Sequence, residues 1–284
     1  MLKIAIQKSG RLSEKSRELL EECGIKFSNG TAALRSKAAN FPVEALFLRD
    51  DDIPQYVEQR VADIGIIGEN VVYEKKKNVR IIEQLGFAGC RLCLAIPKEQ
   101  TYTGIEYFMN KKIATSYPVI LNDYLQKHGI KSEVEEISGS VEIAPGIGLA
   151  NAICDIVSSG SSLMANGLVE VETILKSQAV IIANNDLSPE NESILNSLLF
   201  RIRAVKNAKE NKYILLNAPE SSIETICKLL PGMKSPTILP LAEKGWYSLH
   251  SVVREDVFWE KINQLKEAGA EGILVIPIEK MILL

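Results

Sequence analysis

From Leu2 to Pro97 the chain alternates short apolar runs with longer amphipathic stretches, and this alternation restricts the fold more than any other feature of its 284 residues. Apolar runs separated by helix-like stretches pair as a mostly parallel sheet with helices laid over it. Residues 2–7 read as a strand, 13–23 as a helix closed by Gly24, 43–48 as a strand and 52–59 as a helix, with strands following at 61–67 and 90–97. A second set begins after Pro97, with a strand at 112–115, a helix at 118–128 stopped by Gly129, and strands at 131–137, 150–157 and 171–175. The apolar run 179–183 returns the chain to the first set, and 189–208 reads as one long helix. Two α/β lobes crossed twice by the chain form a cleft with a hinge, a common place for a ligand. From Asn211 the pattern becomes a strand at 212–217, a helix at 222–230, two strands within 237–253, a helix at 257–268 and a strand at 272–277, the ferredoxin-like order β-α-β-β-α-β. The expected domains are 1–92 with 181–208 as the first lobe, 93–180 as the second, and 209–284 as a C-terminal domain.

With 33 basic against 36 acidic side chains the net charge is −3, so no overall positive field draws in nucleic acid and an anionic ligand must be gripped locally. No apolar stretch is long enough to span a bilayer. The N-terminus shows neither the apolar core nor the cleavage site of a secretory signal. The expectation is a cytoplasmic protein with neither nucleic acid nor membrane as partner. The cysteines, at 23, 90, 93, 154 and 227, are odd in number and scattered, which argues against a disulfide framework. Cys90 and Cys93 have the spacing of a redox or zinc half-site. On a strand, however, residues three apart point to opposite faces, and no second pair completes a zinc site, so two thiols in a buried strand are expected. His128 stands at a helix end, where a cation suits the dipole, and His250 lies in the C-terminal region.

The chemistry concentrates in one segment, Cys154-Asp155-Ile156-Val157-Ser158-Ser159-Gly160-Ser161-Ser162, where an apolar strand ends in an acid and then opens into small hydroxyl residues around a glycine. Such a turn into a helix start aims several backbone N–H groups at one point and adds hydroxyls, which suits a phosphate monoester. The acid can accept hydrogen bonds from sugar hydroxyls beside the phosphate. Acid for ribose and loop for phosphate is the division of labour of a phosphoribosyl pyrophosphate site. The other reading is a plain strand-to-helix turn capped by Ser162.

Gly139-Ser140-Val141-Glu142, Ala144-Pro145 and Gly148-Leu149-Ala150 precede this segment, and Ala165-Asn166-Gly167-Leu168 follows it. With Ile6-Gln7-Lys8-Ser9-Gly10-Arg11, Arg49-Asp50-Asp51-Asp52-Ile53-Pro54, Asp63-Ile64-Gly65, Gly68-Glu69-Asn70, Pro236-Thr237 and Ile276-Pro277, the chain resembles ATP phosphoribosyltransferase in its long form over essentially its whole length. The resemblance implies an enzyme that joins ATP and 5-phosphoribosyl 1-pyrophosphate into N1-(5-phosphoribosyl)-ATP and pyrophosphate, the first step of histidine biosynthesis. It also implies two periplasmic-binding-protein-like lobes, a ferredoxin-like (ACT-like) domain binding histidine as feedback inhibitor, a homo-oligomer from dimer to hexamer, and a need for Mg2+. The alternative from another class is a non-catalytic two-lobe phosphoribosyl- or nucleotide-binding regulatory protein. A periplasmic binding protein would carry an export signal, and a short-form subunit would lack residues 211–284.

The adenine N1 lone pair is a nucleophile and pyrophosphate a good leaving group, so the reaction asks mainly for alignment and charge stabilisation. Asp155 is expected to hold the ribose, and Ser158, Ser159, Gly160, Ser161 and Ser162 the 5-phosphate. Lys8 and Arg11, between the first strand and first helix, suit the diphosphate or the ATP phosphates, as does Arg49 at a strand end; the other reading is solvated loop charge. Gly139, Ser140 and Glu142 are candidate substrate contacts, Glu142 towards adenine or ribose or else a first-turn acid. Asp50, Asp51 and Asp52 either hold Mg2+ or cap the helix that starts before Pro54, capping being expected of at least two, and the metal ligands stay unassigned. Two departures from the family pattern stand out. Asn151, carried here as a substrate contact, replaces an aspartate by a neutral amide, and Ser-Ser-Gly-Ser-Ser replaces Ser-Thr-Gly-Ala-Thr while keeping the hydroxyls.

Overall fold

Three sheets organise the described residues, 1–27 and 34–283 of a computed structural model. The chain divides into two units, Met1–Glu21 with Ile25–Leu195, and Glu22–Gly24 with Asn196–Leu284. The elements run β1 (Leu2–Gln7), α1 (Arg11–Glu22), β2 (Arg35–Lys37), β3 (Val43–Leu48), α2 (Ile53–Glu58), β4 (Ile64–Gly68), α3 (Glu69–Lys75) and β5 (Arg80–Gln84). Next come β6 (Cys90–Pro97), β7 (Lys112–Thr115), α4 (Pro118–Lys127), β8 (Glu133–Glu136), β9 (Ala152–Val157), α5 (Ser161–Ala165), β10 (Leu168–Ser177) and β11 (Ala179–Ala183). The remainder is α6 (Pro189–Glu210), β12 (Asn211–Pro219), α7 (Ile223–Leu229), β13 (Thr237–Pro240), β14 (Trp246–Arg254), α8 (Glu255–Glu267) and β15 (Glu271–Pro277).

In the first unit, β1 lies between β3 and β4, parallel to both, in a sheet ordered β2-β3-β1-β4-β11-β5. Strands covered on both faces read as continuous apolar runs, and Ile4, Ala5 and Ile6 are accordingly buried in succession. Gly65 lets α2 press onto this sheet: a Cβ there would stand 2.6 Å from Ile53 Cγ2. The second sheet is ordered β10-β6-β9-β7-β8, with β7 parallel to β8 and β9, and β6 antiparallel to both β9 and β10. The chain passes between these sheets from β5 to β6 and returns from β10 to β11, which pairs with β4 and β5. Consecutive connections leave in opposite directions between β1 and β4, and again between β7 and β9. In open α/β sheets the crevice outside the carboxyl ends of such strands is where ligands bind.

The second unit contains the antiparallel sheet β13-β14-β12-β15, with Ile226 of α7 and Phe258 and Leu265 of α8 packed on Ile214, Leu216 and Leu249. This is the expected ferredoxin-like arrangement. Three elements of the first unit lie outside the expectations, the first being the short edge strand β2. Helix α3 starts directly at the end of β4, with Gly68 at its cap position and no side-chain cap to announce it. Strand β5 is an edge strand that buries little, so its residues lack a clean alternation. Among the described residues no helix is long and apolar enough to cross a membrane.

Candidate functional site

Strand β9 ends at Val157, and the next residues turn into α5 through Gly160, whose φ of +81° is the left-handed region that glycine enters without a Cβ clash. Gly160 itself occupies the cap position of α5, so Ser162 lies inside the helix and does not cap it. The hydroxyl residues Ser158, Ser159, Ser161 and Ser162 are all exposed. Ser159 and Ser161 place their Oγ atoms 3.0 Å apart, and the Ser161 N–H donates to Ser159 Oγ at 3.4 Å. First-turn N–H groups have no partner within their own helix. The turn therefore presents backbone donors and hydroxyls together.

Asp155 does not end its strand as expected: it is the fourth of six residues in β9, which continues through Ile156 and Val157, and it lies opposite Cys93 of β6 in the antiparallel register. Its neighbours on the same face, Ile153 and Val157, are buried. Burial pushes the carboxyl pKa up to about 6; the Ile156 N–H, donating to Oδ1 at 2.8 Å, draws it down, and the charge on Glu142 raises it. Glu142 is thus within electrostatic reach of Asp155. It stands in a 3-10 turn, Val141–Ile143, that follows Gly139 and Ser140, both with positive φ, beyond the carboxyl end of β8. Ser116, just past β7, ties that stretch down by donating to Ile137 O at 2.6 Å and accepting from Gly139 N at 3.4 Å.

Tyr117 joins this group without having been foreseen. At the cap position of α4, it is half-buried, and its hydroxyl pKa is raised by burial first and then by the charges of Asp155 and Asp50. A tyrosine before a proline at a helix start signals nothing of a site. Its hydroxyl lies within electrostatic reach of Asp155 on one side and of Asp50, at the edge of the first sheet, on the other.

Lys8 and Arg49 follow the carboxyl ends of β1 and β3, which the Lys8 N–H joins by donating to Leu48 O at 2.8 Å. Lys8, Arg11 and Arg49 are exposed at this edge. Asp50, Asp51 and Asp52 form a 3-10 turn, and Asp51 pairs with Lys75 Nζ at 3.1 Å. Asp52 holds the cap position of α2 without a side-chain hydrogen bond, and the turn before it has none either, so the expected capping by two of these acids is not how the helix starts. The proline in its first turn, which needs no N–H partner, suffices.

Asn151 is not brought to the loop. It precedes the amino end of β9, where its N–H donates to Lys112 O at 2.8 Å and its Oδ1 accepts from Lys112 N at 2.9 Å. An amide oxygen serves there as well as a carboxylate, which explains why the charge is dispensable at this position. Cys93 donates to Glu170 Oε1 at 3.0 Å, whereas burial raises the Cys90 thiol pKa and a Ser177 hydrogen bond lowers it, so the two thiols have separate partners. His128 is the C-terminal cap residue of α4, its Nδ1 2.8 Å from Tyr124 O. Among the described residues no three or more His, Cys, Asp or Glu side chains cluster as a ready-made metal cage.

Residues 49–204 match the family described as ATP phosphoribosyltransferase, and residues 208–280 the family described as HisG, C-terminal domain. A protein of Cytophaga hutchinsonii named ATP phosphoribosyltransferase is 61% identical over 282 residues, 99% of each chain. One of the same name from Phocaeicola vulgatus is 56% identical over 283 residues, 100% of each chain. Among solved structures, a chain of the ATP phosphoribosyl transferase (HisG:HisZ) complex from Thermotoga maritima superposes with a TM-score of 0.62 at 29% identity, over 72% of this chain and 99% of that one. A histidine kinase sensor domain with similarity to periplasmic binding proteins matches at a TM-score of 0.50 and 10% identity, over 74% of this chain and 91% of that one, which speaks for the two-lobed fold alone. With such relatives along its full length and the C-terminal domain matched as well, the chain belongs to the ATP phosphoribosyltransferase family, in its long form.

Proposed function

We propose that Asp155 and the 158–162 loop form the phosphoribosyl pyrophosphate site of this chain. The family's activity is that of a pentosyltransferase at the first step of histidine biosynthesis, in which N1 of ATP displaces pyrophosphate from C1 of the ribose. The observation that carries the assignment is a partly buried acid placed beside a loop of exposed hydroxyls and first-turn N–H groups, at the carboxyl edge of the second sheet. Asp155 would accept hydrogen bonds from the ribose hydroxyls, and Ser158, Ser159, Gly160, Ser161 and Ser162 would wrap the 5-phosphate. Lys8, Arg11 and Arg49, at the edge of the first sheet, would meet the diphosphate or the ATP phosphates. Gly139, Ser140 and Glu142, beyond the carboxyl end of β8, would meet substrate as well, Glu142 towards ribose or adenine. Asn151 has no part in the site.

Mg2+ binds through one or two carboxylates together with substrate phosphates, so a single acid, Asp155 or one of Asp50, Asp51 and Asp52, would suffice to hold it beside the diphosphate without a cluster of carboxylates. Bound to the diphosphate, it would neutralise charge on the departing oxygens. The three domains are taken as residues 1–92 with 181–208, 93–180 and 209–284, in keeping with the three sheets. Histidine is assigned to the last of them as feedback inhibitor. Self-association, from dimer to hexamer, finds support in the exposed Leu274, Val275 and Ile276 on edge strand β15. Substrates such as ATP and phosphoribosyl pyrophosphate suit a cytoplasmic place.

The test is pyrophosphate release from ATP and phosphoribosyl pyrophosphate with Mg2+. The unaltered chain should turn over, and Asp155→Ala should lose about 100-fold or more in kcat with its melting temperature retained. Undiminished turnover by that variant removes Asp155 from the mechanism.

A further inference from the structure

Arg91 is the second residue of β6, the strand by which the chain first enters the second sheet, and it pairs in register with Val157 on β9 and Lys176 on β10. Its guanidinium grips Glu170: Nε donates to Oε1 at 2.8 Å and to Oε2 at 3.0 Å, and Nη2 donates to Oε2 at 2.6 Å. The remaining nitrogen, Nη1, donates to the backbone carbonyl of Ser158 at 3.2 Å. Ser158 is the first residue of the hydroxyl loop.

Glu170 is fixed in turn. Cys93 Sγ donates to its Oε1 at 3.0 Å and Thr173 Oγ1 donates to the same oxygen at 3.1 Å. The pairing of β10 with β6 is irregular just after Glu170 and again after Thr173, and irregularities of this kind re-aim the side chains beside them. A planar fork locked onto a carboxylate leaves the third nitrogen little freedom, so its direction is set before any ligand arrives.

The consequence follows from peptide geometry. In a planar trans peptide the C=O of one residue and the N–H of the next point in opposite directions. Holding the Ser158 carbonyl towards β6 therefore turns the Ser159 N–H away from β6. We propose that Arg91 is a positioning residue for phosphoribosyl pyrophosphate: anchored by Glu170, it fixes the Ser158–Ser159 peptide so that the Ser159 N–H is presented to the 5-phosphate. This rests on the reading that the 158–162 loop binds that phosphate. In this role Arg91 acts through the peptide and not by touching substrate: its three nitrogens are each engaged by Glu170 or Ser158.

The experiment is steady-state kinetics of Arg91→Met, Arg91→Lys, Glu170→Gln and Gly160→Ala in the full-length chain, with melting temperatures. Arg91→Met and Glu170→Gln should each raise KM for phosphoribosyl pyrophosphate about tenfold and leave KM for ATP within about twofold. Arg91→Lys should fall between, because one ammonium cannot chelate Glu170 and still reach Ser158. An unchanged KM for phosphoribosyl pyrophosphate in Arg91→Met and Glu170→Gln overturns the inference, and so does an equal rise of both KM values with a lowered melting temperature. A rise in Arg91→Met with none in Glu170→Gln also overturns it, in favour of direct contact between Arg91 and the diphosphate. Gly160→Ala separates the two claims: it strains the loop at a positive φ, so it should raise the same KM whatever Arg91 does. If Gly160→Ala also leaves that KM unchanged, the loop reading fails; if only the Arg91 and Glu170 variants do, the positioning role fails. Should Arg91→Met not fold, Glu170→Gln and Arg91→Lys decide.

Discussion

Asp155 lies among apolar strand residues, and that placement lifts its pKa to about 6, where a small change of pH changes its charge. If the ionised form holds the ribose, kcat/KM for phosphoribosyl pyrophosphate should fall as pH drops through about 6, since this ratio reports groups on the free protein. Glu142→Gln removes a charge that raises this pKa, so the inflection should move to lower pH; an unmoved inflection assigns the titration elsewhere. Stability should run the other way. The folded pKa exceeds the unfolded value, so the favourable contribution is complete below the unfolded pKa and is lost as pH rises through about 6. Asp155→Asn should accordingly be about 1–3 kcal/mol more stable than the unaltered chain at pH 8 while losing activity, a pairing that thermal melting and turnover can check together. Asp155, Gly160 and the serines were legible because a strand, an acid, a glycine and hydroxyls in succession are a local pattern. Tyr117 and Arg91 were not. Tyr117 comes within electrostatic reach of Asp155 through the register of β7 with β9, Arg91 reaches Ser158 through that of β6 with β9, and neither relation is written in sequence spacing.

Helix α4 shows how an element borrows what its own sequence lacks. Its cap residue, Tyr117, makes no side-chain cap, and the orphan N–H groups of Val119 and Ile120 donate instead to Glu74 Oε1 and Oε2, both at 3.0 Å. Glu74 is 8% exposed and comes from α3, beside the first sheet, so one carboxylate caps a helix of the second. A negative charge at a helix N-terminus adds to these bonds. Glu74→Gln keeps one acceptor and turns an NH2 group towards a backbone N–H, and should cost about 1–3 kcal/mol by chemical denaturation. A loss under about 0.5 kcal/mol would mean that water caps α4 equally well. Most elements declared themselves through period and punctuation, as β1, β3, β6 and α4 did. Helix α3 did not, because nothing in Gly68-Glu69-Asn70 marks a start, and its Lys75-Lys76-Lys77 end looks like any solvated run. Expecting at least two of Asp50, Asp51 and Asp52 to cap α2 gave local charge more weight than Pro54 required.

At the scale of the whole chain, catalysis and control are assigned to different sheets. The ferredoxin-like sheet of the second unit matches the C-terminal family domain at residues 208–280, and its β14 places His250 within 2.7 Å of Tyr213 and 3.1 Å of Ser248 in a polar chain along one face. Deleting the residues after Ala208 should abolish inhibition by added histidine; inhibition that survives in such a variant would place the effector elsewhere. The claim beneath all of this is that one small anion pocket, at the end of β9, receives the phosphorylated pentose. The most direct measurement is a crystal structure of the chain with phosphoribosyl pyrophosphate and Mg2+. The 5-phosphate is predicted to lie on the backbone N–H groups and hydroxyls of residues 159–162, with ribose hydroxyls on Asp155; a pentose bound away from β9, with that turn left to solvent, would contradict the account.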